Sequence, residues 1–339
     1  MNTMIVNPVP SKTWYWLRMN ERKVSVDANA VPYFPELTLK NAASADPFDQ
    51  EGSAGKEFSE LVSSVASPLA FTAEEDAEIL APYDFAEAKT SVSSFCLNVP
   101  DGVNATLIMD FCSGTAGSAL VKTNLRLGNR SHLSLVQIHR TMDDFTMLND
   151  IGAAVGEDSR IDLINLVISG KENDLACRFE LQGKRSHAEI HTGYSAEKDH
   201  VVDFNYYVPH FGKQTTCNIE VNGVLRNESR KIFRGTIDFR RGSAGAKGSE
   251  RENVLLIDDT VSNQTLPVIL CSEEDVEGTH GASIGKLDDA TVYYLTSRGL
   301  PQDQVYEMMA LARLSSVAAL IPHEATRDEL EEYLERKSF

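Results

Sequence analysis

Apolar and polar residues alternate along a series of short segments in the middle of this 339-residue chain. The apolar members of the clearest segments are Leu175, Cys177, Phe179 and Leu181, then Val202, Phe204, Tyr206 and Val208, then Cys217, Ile219 and Val221, then Phe233, Ile237 and Phe239. Successive side chains on a β-strand point to opposite faces, so each segment has one buried side and one polar side. The pattern predicts an all-β body, either a sandwich, a barrel or a stacked β-helix, and alternation alone does not choose among the three.

The N-terminal region, residues 1–94, is predicted to mix irregular segments with short helices. Four apolar residues at helical spacing, with a proline to stop them at Pro68, predict one helix: Phe58, Leu61, Val62 and Val65. Thr72 and Glu75 have the spacing of a capping box, which predicts a second, acidic helix. The β body is expected to begin after this region and to occupy residues 95–286.

The C-terminal region, residues 287–339, is predicted to be helical. Asp288 suits the N-cap of a first helix, and Gly299 stands where such a helix ends. Pro301 suits the first turn of a longer helix.

The longer helix after Pro301 is apolar on two sides. One side has Val305, Met309 and Ala312, and the other has Met308, Leu311 and Leu314. A helix with two apolar faces is expected to be either buried within its own domain or covered by a partner. A last helix is predicted to start at the box formed by Thr326 and Glu329, and to bury Leu330, Tyr333 and Leu334.

Charge and composition exclude several classes of function. The formal net charge of −18 argues against a nucleic-acid partner and against electrostatic binding to a membrane surface. The sequence has no secretory signal pattern and no apolar run long enough to span a membrane, so a cytoplasmic location is expected. The five scattered cysteines form no CxxC pair, which predicts reduced and mostly buried thiols.

Two other motifs bear on the chemistry that the chain could perform. The glycine-rich segment 240–249, RRGSAGAKGS, lacks the order of a phosphate-binding loop and precedes a predicted strand, so no nucleotide site is expected in this chain. The acid pairs Asp258-Asp259 and Glu273-Glu274 are predicted to be solvated strand ends. The alternative from a different functional class is a β-helix carbohydrate-active enzyme, in which two carboxylates act as general acid and base on a glycosidic bond. On a strand, His187 and His191 are about 13 Å apart, too far for one metal ion.

His280 differs from the other histidines because of the residues around it. It lies in DVEGTHGASIG, residues 275–285, within a longer run that resembles the C-terminal signature of the SufB/SufD family of iron–sulfur cluster assembly proteins. The matching positions are Leu255-Leu256, Pro267, Glu274-Asp275-Val276, His280-Gly281-Ala282-Ser283, Leu287-Asp288 and Tyr294-Leu295-Thr296-Ser297-Arg298-Gly299. The segment PSKTWYWLRMN, residues 10–20, is also similar to members of the family.

The resemblance implies a fold and a set of partners. It implies a right-handed parallel β-helix between helical N-terminal and C-terminal regions, paired through that β-helix with a SufB-like subunit or with a second copy. It also implies that the C-terminal helices dock a SufC-type ATPase, which would hydrolyse ATP in place of this chain. The expected role is that of a non-catalytic scaffold for a transient iron–sulfur cluster.

The resemblance is stronger to the SufD type than to the SufB type. A cysteine and a glutamate implicated in holding the cluster in SufB-type proteins correspond here to Glu252 and Gly281. The chain keeps the His-Gly-Ala sequence of SufD-type proteins, but Gly278 replaces a cysteine that some of them have. Because the chain is short for a SufD, a system with a single, self-pairing member is the second arrangement considered.

The resemblance makes His280 the candidate iron or cluster ligand, because neutral imidazole binds iron and an interface can combine ligands from two chains. Cys271 is the second candidate, as a sulfur or iron ligand. The structural alternatives are a turn histidine that packs the interface and a buried strand cysteine. A third functional hypothesis is an interaction module that has kept the fold and lost the site.

Overall fold

The computed structural model describes residues 2–12, 15–27, 29–87 and 89–337, so Thr13 and Trp14 of the segment 10–20 lie outside the described residues. The strands are β1 (Asn2–Val6), β2 (Arg22–Val26), β3 (Ala30–Pro32), β4 (Thr38–Ser44), β5 (Leu69–Phe85), β6 (Thr90–Val99), β7 (Asn104–Ser113), β8 (Gly117–Leu127), β9 (His132–Arg140), β10 (Phe145–Val155), β11 (Arg160–Ser169), β12 (Glu172–Leu181), β13 (His187–Ala196), β14 (Val201–His210), β15 (Thr216–Leu225), β16 (Arg230–Phe239), β17 (Ala246–Leu256), β18 (Ser262–Cys271) and β19 (Val276–Gly285). The helices are α1 (Lys56–Val65), α2 (Asp289–Ser297), α3 (Gln302–Ala318) and α4 (Glu324–Arg336), with one 3-10 turn at Tyr15–Leu17.

The strands from β5 to β19 form a parallel β-helix. Each strand pairs in parallel with the strand two places further along the chain, so two strands make one coil. Thr146 of β10, for example, is paired with Glu172 of β12, and Arg230 of β16 is paired with Ser262 of β18. The β-helix that the family resemblance implied is therefore confirmed, and the sandwich and barrel are excluded.

The lumen of the β-helix is filled by the inward side chains of both strands in each coil. All the alternating apolar residues predicted to face inward, from Leu175 to Phe239, belong to this core. Aromatic rings continue the stacking from coil to coil, with 4.8 Å between the ring centroids of Tyr83 and Phe111. Side chains on neighbouring coils touch because parallel strands lie only ~4.8 Å apart.

One corner of the coil repeats a short sequence pattern. Gly128, Gly156, Gly183 and Gly212 are each followed three residues later by a serine or threonine. At the third of these corners, the Ser186 hydroxyl donates to the Gly183 carbonyl over 2.8 Å. A Cβ at Gly183 would lie 2.0 Å from the Glu157 backbone nitrogen, so only glycine allows the corners to stack.

The prediction of a helix from the capping box at Thr72 is wrong. The structure has strand β5 there, and Thr72 pairs with Ala43 and Asn98. Buried residues alternate along this strand, as at Ile79, Ala81 and Tyr83, and its second half is the first long rung of the β-helix. Pairing with a distant strand outweighs the local helix signal. Parallel coils thus begin before residue 95.

Two groups of elements cover the outside of the β-helix. The β1–β2 hairpin and α1 pack on one face through Phe58 and Val62, as the apolar pattern predicted. A fully buried ion pair within the β-helix, between Arg234 and Asp203, also holds the segment that joins β1 to β2. Arg234 donates to the Met19 carbonyl, and Asp203 accepts from the Asn7 amide over 2.7 Å.

The C-terminal helices pack on another face, where Leu314 and Val317 of α3 contact Ile164 and Leu166. The predicted N-cap at Asp288 is confirmed by a 2.8 Å hydrogen bond from the Thr291 backbone nitrogen.

The start predicted for the last helix is wrong. The N-cap of α4 is His323, whose ring accepts from the Thr326 backbone nitrogen. Of the three residues expected to be buried by this helix, Leu330 and Leu334 are buried and Tyr333 is partly buried.

Among the described residues, no helix combines the length and apolar character needed to cross a bilayer.

Close packing in the lumen predicts a large effect from a small substitution. A Cβ at Gly223 would lie 1.8 Å from Cζ of the buried Tyr194 ring, so Gly223→Ala must displace that ring. We expect the unfolding free energy to fall by about 1–3 kcal/mol. Gly114→Ala, where a Cβ would meet no atom within 4 Å, is the control for chemical denaturation. Equal midpoints for the two variants would contradict this account of the lumen.

Candidate functional site

The C-terminal end of the β-helix is its open end. Strand β18 pairs with β16 and strand β19 with β17, and no strand in the described part of the chain pairs with their other edges. Helix α2 begins four residues after β19 and contacts α3, which packs against the side of the β-helix, and the last rung remains exposed. At this end, inward side chains are exposed because no further coil follows.

His280 is in β19 and belongs to the inward column of side chains. A Cβ at Gly278, two residues earlier, would contact Phe239 and Ile269 of the core, so this side of β19 faces the lumen. Alternation places His280 on the same side. Its register partner in the preceding coil is Glu250. The imidazole is exposed because it stands in the last rung.

Cys271 also lies on an inward position but at a different place along the lumen. It is the register partner of the core residue Phe239, and its thiol donates to the Glu273 carbonyl over 3.0 Å. Gly278 of β19 faces Ile269 of β18 across the lumen. Cys271, two residues after Ile269, therefore faces Val276, two residues before Gly278. Val276 is four residues, or about 13 Å, from His280 along β19. The structure does not bring the two candidate ligands together. Within the described ranges, no three His, Cys, Asp or Glu side chains are grouped to hold a metal ion.

Three charged residues lie in the lumen just behind His280. Glu250 and Glu252 are inward residues of β17 and are at most 3% exposed, and Lys231 of β16 is fully buried. Lys231 donates to Glu252 and, over 2.9 Å, to Thr265. Glu252 also accepts from Thr265 over 2.6 Å. Lys231, Glu252 and Thr265 therefore satisfy one another's polar groups.

Glu250 has no such partner among the described residues: no hydrogen bond and no ion pair reaches its carboxyl group. Burial, together with the neighbouring charge of Glu252, raises the pKa of Glu250 to about 8. The carboxyl group occupies space that Gly235 leaves free, since a Cβ there would lie 2.1 Å from Glu250 Oε2. Burial disfavours the charged form of Lys231 too, and for an ammonium group this lowers the pKa.

Sequence reasoning missed Lys231 and Glu250, and treated Glu252 only as the residue that replaces a cysteine. A signal was present, because Gly248, Glu250 and Glu252 alternate in phase with the buried Val254. Two carboxylates at inward positions of one strand are unusual enough to mark a site, since isolated buried charges are costly.

The other candidates occupy the outside of the β-helix. His187 and His191 both contact Glu189, at 2.8 Å and 3.4 Å. Burial tends to raise the pKa of Glu189, but hydrogen bonds from both histidines and Asn218 outweigh it and leave that pKa well below its usual value. Asn218 of β15 donates to Glu189 over 3.1 Å, so the cluster links β13 to β15.

The paired acids are at exposed corners of the coils. Asp258 accepts from the Asn227 backbone nitrogen over 2.6 Å, Asp259 pairs with Lys286 over 2.7 Å, and Glu273 accepts from the Gly242 nitrogen over 2.9 Å. Their contacts stabilise turns. Segment 240–249 contains one of these corners and the start of β17.

Comparison with known proteins identifies one family. The model of the SUF system FeS cluster assembly SufBD core domain matches residues 84–313. The iron–sulfur cluster assembly protein SufD of Bacillus subtilis (strain 168) is 27% identical over 192 residues, 57% of this chain and 44% of that protein. SufD of Escherichia coli (strain K12) is 23% identical over 249 residues, 72% of this chain and 57% of that protein. A SufBD family protein of Mycobacterium tuberculosis (strain ATCC 25618 / H37Rv) is 27% identical over 144 residues, 42% of this chain and 17% of that protein. The chain thus covers less than two thirds of each relative.

The buried carboxyl of Glu250 predicts a pH dependence of stability. The folded protein holds this proton up to a pKa of about 8, whereas the unfolded chain releases it near the ordinary value of 4.5. Raising the pH from about 5 to about 8 should therefore cost the wild type stability, on the order of a few kcal/mol from this group. Glu250→Gln should remove that part of the loss.

The measurement is the free energy of unfolding of both proteins at several pH values. The buried Asp174 also has a raised pKa, of about 7, so the informative quantity is the difference between the two curves. Parallel curves for wild type and Glu250→Gln would show that Glu250 does not titrate in this way.

Proposed function

The chain belongs to the SufBD family of the SUF iron–sulfur cluster assembly system, and we propose that it acts there as a SufD-like scaffold subunit. The observation that carries this proposal is the open end of the β-helix, where His280 and the edges of β18 and β19 are exposed together. In this role the chain contributes ligands and surfaces, and a partner ATPase performs the hydrolysis.

The open edge supports pairing with another β-helix. Strands β18 and β19 are each ten residues long, and their outer edges present backbone donors and acceptors without strand partners in the described chain. Long unpaired edges favour addition of further strands. A SufB-like subunit or a second copy that adds its own last rung would satisfy these groups and enclose His280.

Pairing would also complete a ligand set. One chain offers His280 without a second candidate ligand in the same rung, since Cys271 is displaced along the lumen. Iron and iron–sulfur clusters take several imidazole, thiolate or carboxylate ligands. An assembly site at the interface would draw the missing ligands from the partner.

His280→Ala tests the assembly site. The exposed imidazole contributes little packing, so truncation should cost far less than the ~2–5 kcal/mol of a core deletion and should leave complex formation intact. Iron and sulfide per complex after anaerobic reconstitution should fall, because a metal–ligand bond is lost. The dissociation constant of the dimer is measured on the same samples.

The structural alternative gives the opposite pattern in this experiment. If His280 only packs the interface, or if the chain is an interaction module without a site, the dimer weakens and the surviving complex loads its cluster normally. That result would refute the ligand role and keep the family assignment.

The C-terminal helices support docking of a SufC-type ATPase. Helix α3 buries one side against the β-helix, and its other side carries Met308, which is 42% exposed. Helix α2 presents Tyr293 and Tyr294 to solvent. Exposed aromatic and methionine side chains are typical of protein interfaces. We propose that this surface of α2 and α3 binds the ATPase.

Substitutions at two adjacent methionines of α3 distinguish an effect on ATPase docking from an effect on folding. Met309 points about 100° away from Met308 and packs against the cluster between α3 and the β-helix. Met309→Glu should therefore destabilise the protein by burying a charge, whereas Met308→Glu should keep the melting temperature and lose the ATPase. Co-elution of the purified proteins in size-exclusion chromatography and thermal melting are the two measurements. Identical behaviour of the variants would refute docking through this helix.

A further inference from the structure

We propose that Glu250 and His280 together form a loading site for one divalent transition-metal ion at the open end of the lumen, before a partner joins. The proposal rests on the scaffold function above and extends it, because it assigns a role to a buried carboxyl group behind the exposed histidine. The ion is Fe²⁺ in the proposed function, bound as cargo.

Register places the two side chains together. Glu250 and His280 are direct partners in the parallel ladder between β17 and β19, and both point into the lumen. The Glu250 carboxyl group lies opposite Gly235, whose register partner in the last rung is Pro267. One rung, made at this position by His280 and Pro267, therefore separates the carboxyl group from solvent.

The charges around Glu250 favour a cation. The buried Lys231 is already paired with Glu252, so the second carboxyl group is left without an ion-pair partner in the described part of the chain. Glu250 is also 3% exposed, so water does little to solvate it. Such a group is expected to take up either a proton or a cation. The mouth of the lumen, next to His280, is the side from which a cation arrives.

The donor atoms select the class of metal. A carboxylate oxygen and an imidazole nitrogen suit Fe²⁺, Co²⁺ and Zn²⁺ better than Mg²⁺ or Ca²⁺, which prefer oxygen ligands alone. Two protein donors leave several coordination positions for water or for ligands of a partner. The site is thus suited to hold an ion temporarily and to pass it into a larger ligand set.

The test is metal binding by the whole chain, purified without partners under anaerobic conditions. Co²⁺ is the spectroscopic probe, since its visible absorption reports nitrogen and oxygen ligands, and Fe²⁺ is titrated in parallel. We expect one saturable site in the wild type, and an affinity loss of about tenfold or more in Glu250→Gln and in His280→Ala.

Glu277→Gln is the matched control. It also removes one carboxylate, but Glu277 lies on the outward side of β19, is exposed and pairs with Lys247. Its affinity for Co²⁺ should equal that of the wild type. If Glu250→Gln does not yield folded protein, Glu250→Asp takes its place, since it keeps the charge and retracts the carboxyl group by one methylene.

Several results would overturn the inference: no saturable Co²⁺ binding by the wild type, unchanged binding by Glu250→Gln, or an equal loss in Glu277→Gln. Failure of the scaffold function looks different. If His280→Ala complexes lose iron and sulfide while Glu250→Gln binds Co²⁺ normally, the scaffold role stands and this inference falls. If the isolated chain binds Co²⁺ through both residues and His280→Ala complexes load normally, the assembly-site role of His280 falls.

Discussion

The parallel backbone ladder that joins each coil to the next determines the environment of almost every residue in this protein. Pairing in register sets a side chain directly beside the same position one coil earlier, so side chains form columns along the β-helix. Tyr83, Phe111 and His139 are successive register partners, and the centroids of their rings are 4.8 Å apart at each step. Neighbours in a column are therefore in contact although a whole coil of sequence separates them.

The ladder also explains which parts of the fold the sequence predicts. Alternation predicted the inward residues from Leu175 to Phe239 correctly, because the sequence of each strand by itself determines which side chains face the lumen and which face the exterior. The capping box at Thr72 misled, because this part of β5 is stabilised by pairing with strands β4 and β6, as between Thr72 and Asn98. Local propensity cannot report a contact of that kind. The choice of a β-helix over a sandwich was encoded in the corners, where a glycine recurs at 128, 156, 183 and 212.

The residues of the candidate site also differ in whether the sequence alone predicts them. His280 was found through the family resemblance, and Glu252 through its correspondence to a cysteine of related proteins. Glu250 was not found, because its alternation in phase with Val254 shows which residues share its side of the strand but does not show whether a charged residue there is buried or solvated. Its burial depends on Gly235 across the lumen, and the pairing of its neighbour Glu252 depends on Lys231, on the other strand of the coil. Those relations appear only once the coils are stacked.

The charged lumen residues lie near the open end for an energetic reason. In the middle coils, inward polar side chains are uncharged and several of them bond to one another: Asn149 donates to Gln137, and Thr192 and Asn165 bond the Tyr206 hydroxyl. Lys231, Glu250 and Glu252 lie one rung from solvent, where water and ions lower the cost of burying charge. A permanent cap would remove that access, whereas an unpaired edge keeps it until a partner strand arrives. In the proposed dimer, closing the edge and enclosing the metal ligands are therefore the same event, so the cluster site would exist only in the assembled complex.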